Sequence, residues 1–404
     1  MDKQTLKGKD IIMLGIQPWD LNIGHNFKNM AKVISKHNRV LYVNRPLDRI
    51  TQWKAPKDIK TVNRLKSIKH GEKVLEEVGP NLWVFNPQTR LESINWLPHN
   101  FFYRWFNRRN NVKLAREIKK GMDKLQFNNA VLFIDNDFYN GLYLQDYLLV
   151  DYTMYYLRDY LLAQPYFFRH GKYSEPELIK KVDIVVTNSL YLTSYARNFN
   201  QRSYYCGQGC GDEFFVPAPS NFPADIANIK RPVIGYCGFL TEMRLDIELL
   251  EKMASRNEHW QMVLIGPEDE AFKKSALHKM PNVYFLGNKQ EKELPAYVHY
   301  FDVCLNPQLV NQLTIGNYPR KIDEYLAVGK PVVATRTETM EAFAKCTFLC
   351  TGLDEFEEAI QTALDSGNDQ EAIENRRMFA RSHTWENSVA LMYEAMNTFE
   401  KERK

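Results

Sequence analysis

One stretch constrains the rest of this 404-residue chain: residues 302–335, DVCLNPQLVNQLTIGNYPRKIDEYLAVGKPVVAT. A short apolar run (Val303, Cys304, Leu305) passes through a polar loop into a helical segment entered near Pro319 and left at Gly329. A second β-branched run follows at Val332, Val333 and Ala334. Strand, loop, helix, strand is the unit from which doubly wound parallel sheets are built. Pro319 suits a first helical turn, where an absent N–H costs nothing, and Gly329 suits the left-handed residue that closes a helix. The helix start then carries Arg320, Lys321 and Glu324 at one end of a parallel sheet. Unsatisfied N–H groups with two cations beside them make a place for a phosphate, and a carboxylate one turn later can accept hydrogen bonds from a sugar hydroxyl.

The chain is longer than a single core usually grows, so two domains of about 200 residues each are expected. A 44% apolar and 25% charged composition can supply two cores. The net charge of +4 is unevenly spread. Residues 1–215 carry 32 Lys+Arg against 21 Asp+Glu, a balance of +11, and the remainder carries 21 against 28, a balance of −7. That asymmetry points to an anionic surface or acceptor facing the first domain, although such basicity also occurs with no partner. The six cysteines (Cys206, Cys210, Cys237, Cys304, Cys346, Cys350) form no C-x-x-C. No histidine lies near enough in sequence to the Cys206/Cys210 or Cys346/Cys350 spacings to favour a zinc site over reduced thiols of a cytoplasmic protein. The first ten residues, MDKQTLKGKD, lack the apolar centre of a secretion signal. No run approaches the roughly 20 apolar residues that cross a bilayer.

In chain order, the DIIMLGI run at residues 10–16 is a strand, Phe27, Met30, Ala31 and Ile34 lie at helical spacing, and RVLYVN at 39–44 is the next strand. Gly24 and His25 fall at the entry of that helix. Residues 53–98 have weak patterning and read as an irregular insertion with one strand. The segment from 99 to 124 then interleaves Phe101, Phe102, Tyr103, Trp105 and Phe106 with Arg104, Arg108, Arg109, Lys113, Arg116, Lys119 and Lys120. This pattern fits an anionic membrane surface, and equally a helix with aromatic core and a solvated cationic face. Nucleic acid fits less well, because nothing else resembles an RNA-binding module. AVLFI at 130–134 is a buried strand ending in Asp135-Asn136-Asp137. Acidic loops are common, so this D-x-D spacing is a weak metal signal. Asp159 stands at a later strand-to-loop edge. A proline-rich linker is expected at 217–231, dividing domains 1–216 and 217–384, and a last helix at 385–404.

PRKIDEYLAVGKPVVAT resembles the donor-nucleotide segment of GT-B glycosyltransferases of the family 4 type, and is most similar to bacterial teichuronic-acid and exopolysaccharide transferases. VDIVVTN at 182–188 and the N-V-x-F-x-G run at 282–287 follow the same family. The resemblance implies an α/β fold of two Rossmann-like domains facing a cleft, with the C-terminal helix crossing back and Trp385 as its anchor. It also implies a retaining, metal-independent transferase that needs no cofactor and moves a sugar from a UDP- or GDP-sugar to a glycan or lipid-linked acceptor, in the cytoplasm or on the inner face of the plasma membrane. By match, Glu324 holds the ribose, the turn at Gly238 meets the diphosphate, and Gly266 lets the base approach the backbone. The loop with Gly24 and His25 faces the cleft, Gly24 on the donor side and His25 on the acceptor side, unless Gly24 is a plain turn residue and His25 an exposed cap. Asp159 takes the acidic place on the acceptor side. The pattern departs at Gly316, where the wider family has a second glutamate, and at Phe239 and Leu245, where it has an arginine and a lysine. Arg244, Arg320 and Lys321 stand in for those cations. A GT-B epimerase and a non-catalytic assembly protein of this fold are the competing readings.

Overall fold

The apolar runs of the first half become strands β1 (Asp10–Gly15), β2 (Arg39–Val43), β3 (Leu47–Asp48), β4 (Leu75–Gly79), β5 (Leu82–Phe85), β6 (Arg90–Leu91), β7 (Val131–Asp135), β8 (Tyr152–Leu157), β9 (Ile184–Thr187) and β10 (Ser203–Tyr205). The computed structural model describes residues 6–20, 25–366 and 369–403. Eight of these strands form one sheet in the order β10-β9-β8-β7-β1-β2-β5-β4, and β3 pairs with β6 apart from it. Only β4, antiparallel to β5, breaks the parallel pattern of the large sheet. The helix Asn26–Ile34 buries Phe27, Met30, Ala31 and Ile34, the four residues at helical spacing in the sequence. Central strands such as β7 and β8 are buried along their whole length, as expected for a sheet covered by helices on both faces.

The second unit holds β11 (Val233–Cys237), β12 (Gln261–Ile265), β13 (Val283–Gly287), β14 (Val303–Asn306), β15 (Val332–Thr335) and β16 (Phe348–Cys350). Their order is β13-β12-β11-β14-β15-β16, all parallel. The direction of winding reverses between β11 and β14. Loops beyond the carboxyl ends of strands at such a reversal diverge and leave a crevice, which is where doubly wound sheets bind ligands.

The units divide at Gly207/Gln208 and again at Asn387/Ser388, where the sequence placed boundaries at 216/217 and 384/385. The stretch 217–231 is part of the second unit: Ile226, on the short helix Ala224–Ala227, is fully buried in that unit's core. The terminal helix Trp385–Glu402 belongs to the first unit from Ser388 onward. Its fastenings there are Tyr393, whose hydroxyl accepts from Asn38 Nδ2 at 2.9 Å, and Glu400, which accepts from Tyr152 at 2.9 Å. Phe399 packs edge-on against Tyr152. Trp385, expected as the anchor, lies in the second unit, its backbone pressed against Gly209.

Residues 53–98 are more regular than their pattern predicts. They contain a helix, Ile59–His70, and the strands β4, β5 and β6. That helix buries Thr61, Arg64 and Ser67, with Arg64 paired to Asp20 at 2.9 Å, and leaves Ile59 exposed. A polar inward face carries no hydrophobic period.

The segment at 99–124 forms the helix Phe101–Leu125. Tyr103, Leu114, Ala115 and Ile118 enter the core, whereas Phe101, Phe102 and Trp105 are 74%, 62% and 45% exposed. The two sequence readings therefore divide along the helix: its middle is core and its first turns present aromatics to solvent. Among the described residues no helix is long and apolar enough to cross a membrane.

Candidate functional site

In the second unit the turn after β11 and the start of the helix Lys321–Val328 are fastened together. Tyr325, on that helix, has its hydroxyl 2.8 Å from the backbone N–H of Cys237, the last residue of β11, and accepts from it. One turn earlier Lys321 Nζ donates to the hydroxyl of Tyr236 at 2.6 Å. Gly329 ends the helix in the left-handed region, as its place in the sequence predicts.

The glycines keep this corner open. Gly238 has φ +146, and a Cβ there would lie 2.9 Å from both Lys321 Nζ and Tyr236 Oη. Gly266, after β12, has φ +144, and a Cβ would overlap the Gly238 carbonyl oxygen. L side chains rarely adopt either conformation. The sequence assigned Gly266 to contact with a base; the structure gives it a nearer task, seating the Gly238 turn.

Charge concentrates beside the turn. Burial and the neighbouring Arg244 cation push the Lys321 ammonium down to about 7. Arg320 Nε lies 2.7 Å from Glu324 Oε1, and the same guanidinium is 3.4 Å from Glu291. Burial drives the Glu324 carboxyl upward, and Arg320 opposes this. The result is a cation-rich corner with a buried carboxylate one helical turn further on, suited to a diphosphate beside a polyol.

Arg244, Arg320, Lys321, Glu324, Gly238 and Gly266 thus all belong to one unit and gather around the carboxyl ends of β11 and β12 and the helix that follows β14. Sequence reasoning missed Asn306, the last residue of β14. It is fully buried, and neither polar atom of its side chain has a partner among the described residues. Gln308 Oε1 is also unpartnered among the described residues. The signal was present as a polar residue closing an apolar strand at the winding reversal. Leu245, in the place of the family's lysine, is core, and Phe239 is 54% exposed.

The remaining candidates belong to the first unit. Asp159 follows β8 and is held by Arg158, whose Nη1 is 2.7 Å from its Oδ2. Arg158 Nε also binds the fully buried Asp135 at 2.6 Å, and Asp137 accepts from the amide of Asn140 at 2.7 Å. The acidic residues of the D-x-D spacing are therefore turned inward and engaged. His25 is buried, not exposed. Its Nδ1 caps the helix Asn26–Ile34 by accepting from Lys28 N at 3.3 Å, and its Nε2 faces the Pro18 carbonyl at 3.3 Å. Both ring nitrogens serve the local fold. Gly24 lies outside the described residues. All six cysteines are free.

Residues 231–366 match the family described as glycosyl transferases group 1. The matched stretch lies within the second unit and contains the Gly238 turn and the Lys321–Val328 helix. A stretch of 162 residues is 27% identical to the Bacillus subtilis protein TuaH, provisionally described as a teichuronic acid biosynthesis glycosyltransferase. The match spans 38% of this chain and 40% of the length of TuaH. Among solved structures, sucrose-phosphate synthase of Thermosynechococcus elongatus is similar with a TM-score of 0.70 at 14% identity, over 98% of this chain and 100% of that one. Anabaena HepE, solved in complex with UDP, has a TM-score of 0.64 at 15% identity, over 97% of this chain and 100% of that one. At such identities the likeness speaks for the fold, and the fold is that of the GT-B glycosyltransferases.

Proposed function

We propose that this protein transfers a sugar from a UDP-sugar to a hydroxyl of a glycan or lipid-linked glycan in cell-surface polysaccharide assembly, with retained configuration and without a metal. The observation that carries the reading is the corner formed by Lys321, Arg244 and the Gly238 turn at the winding reversal of the second unit. Breaking the bond to the anomeric carbon leaves negative charge on the departing diphosphate. Fixed cations and backbone N–H groups lower that barrier most when they are already in place. Arg320 and Lys321 at the helix start serve the same charge, and Glu324 accepts from the ribose. Asp159 remains a candidate for the acceptor side and Gly24 for the donor side, whereas His25, with both ring nitrogens engaged locally, could act there only by shaping its loop. The UDP and UDP-glucose complexes of HepE and the name given to TuaH support the donor and pathway class; retention and metal independence rest on the sequence resemblance.

A screen of UDP-, GDP- and ADP-sugars by melting temperature tests the donor, because a ligand of the folded state raises it by mass action. UDP-sugars are expected to give the largest rise, and Glu324→Ala to weaken UDP binding about tenfold, the scale of one lost charged hydrogen bond. Unchanged affinity would remove Glu324 from the site, and no stabilisation by any nucleotide-sugar would favour an assembly protein. UDP released only when an acceptor is added would exclude the epimerase.

We further propose peripheral contact with an anionic membrane through Phe101, Phe102 and Trp105, whose neighbours include Arg104, Arg108 and Arg109. Each cation near such a surface contributes on the order of 1 kcal/mol. The protein is expected to pellet with phosphatidylserine vesicles at low salt and to be released at high salt; failure to pellet at low salt counts against the contact.

A further inference from the structure

The first unit contains a cavity of about 450 Å³ that none of the roles above uses. Its walls include Arg45 beyond β2, Trp96 beyond β6, Asn140 beyond β7, Asn107 on the helix Phe101–Leu125, and Tyr166 and Arg169 on the helix Pro165–Lys181. Two of these residues, Arg45 and Asn140, come from loops past the carboxyl ends of strands of the eight-stranded sheet, on the edge where parallel sheets bind ligands.

The charge of the cavity is positive. Arg45 is half-buried and makes no hydrogen bond or ion pair among the described residues. Arg169 donates to a neutral backbone carbonyl, that of Trp96, at 2.8 Å, and the exposed Lys54 adds a third cation to the wall. Two carboxylates also line the space. Glu92 is already neutralised by Arg49 at 2.8 Å and Lys113 at 3.2 Å. Asp48 accepts from Thr51 and Ser93 and feels the Arg45 charge. Two cationic charges are therefore left in excess.

Polar selection comes from Asn107, which is 2% exposed. The orientation of its amide follows from a backbone donor. Tyr143 N donates to Asn111 Oδ1 at 3.1 Å, so Asn111 Nδ2 is the end that donates to Asn107 Oδ1, also at 3.1 Å. Asn107 Nδ2 is then the end left over, and among the described residues it has no partner. A buried donor without an acceptor is costly, and a ligand oxygen can relieve that cost. The Trp96 ring, 64% exposed and held by its own N–H on the Ser93 carbonyl at 2.8 Å, offers a flat apolar face to a sugar ring.

We propose that this cavity takes the anionic end of the acceptor, a sugar unit bearing a carboxylate or phosphate, with the anion on Arg45 and the sugar ring against Trp96. The inference rests on the glycosyltransferase reading and names the acceptor class within it.

The test is calorimetric titration of the full-length protein with three disaccharides that differ at one end: glucuronate, glucose, and glucose 6-phosphate. At least one anionic compound is expected to bind about tenfold or more tightly than the neutral one, and which one does so tells carboxylate from phosphate. Arg45→Gln should bring the anionic compound to the level of the neutral one, and Arg45→Lys should keep part of the preference. Equal affinity for all three, no binding of any, or a preference that survives Arg45→Gln would overturn the proposal; if the variant does not fold, the comparison on the native protein still decides. The UDP-induced rise in melting temperature, read in parallel, reports on the donor site by itself, so a failed acceptor site is distinguishable from a failed assignment of function.

Discussion

Replacing Lys321 with methionine is expected to lower kcat/KM for sugar transfer about 10²–10³-fold, the usual scale for removing one preorganised donor to a developing anion. Methionine keeps the length of the side chain and removes the charge. A second readout ties the effect to the charge. Without ligand, burial and Arg244 hold Lys321 at about 7, so at pH 8 it is mostly neutral. A bound diphosphate favours the ammonium and returns its pKa toward the ordinary lysine value. Binding of UDP at pH 8 should then take up most of one proton, and at pH 6, where the amine is already largely charged, far less. Titrations in buffers of different ionisation enthalpy measure this uptake. The Lys321→Met protein should show no such uptake at pH 8; if native and variant take up the same number of protons, Lys321 does not meet the diphosphate.

Gly266→Ala is expected to destabilise the second unit by about 3 kcal/mol or more and to abolish tight UDP binding. The positive φ of Gly266 strains any L residue, and the added methyl would overlap the carbonyl oxygen of Gly238. Either the turn after β11 moves, and with it the N–H groups beside Lys321, or the strand pairing of β11 and β12 opens. Hydrogen exchange of the β11 and β12 peptides, with calorimetric unfolding, reads both. Gly352→Ala serves as the comparison, because a Cβ there meets nothing within 4 Å and the helix it precedes should lose about 1 kcal/mol at most. Native-like exchange and UDP affinity in Gly266→Ala would show that the turn is not a rigid element of the site.

Much of the molecule was legible because its chemistry is local. A buried parallel strand must be a short apolar run, and a helix between two of them must start with free N–H groups and end on a residue that tolerates the left-handed region. Residues 302–335 meet those conditions in order, so the strands β14 and β15, the helix between them and the Arg320, Lys321, Glu324 set could be read directly from the chain. What stayed hidden depends on partners distant in sequence. The helix Ile59–His70 buries Thr61, Arg64 and Ser67 because Arg64 finds Asp20, and no periodicity of apolar residues records that. His25 reads as an exposed cap until Pro18 and Lys28 are seen to occupy both of its ring nitrogens.

The sequence by itself determined the elements, their alternation and the cation-bearing helix start, since backbone hydrogen bonding and apolar burial act over a few residues. Only the tertiary structure decided that Lys321 meets Tyr236 and the Gly238 turn, that Gly266 seats that turn, and that Arg45 and Asn107 share one cavity wall. Those facts follow from strand order and from how polar groups are satisfied across the sheet, and a close approach between residues tens of positions apart leaves no periodic trace in the chain.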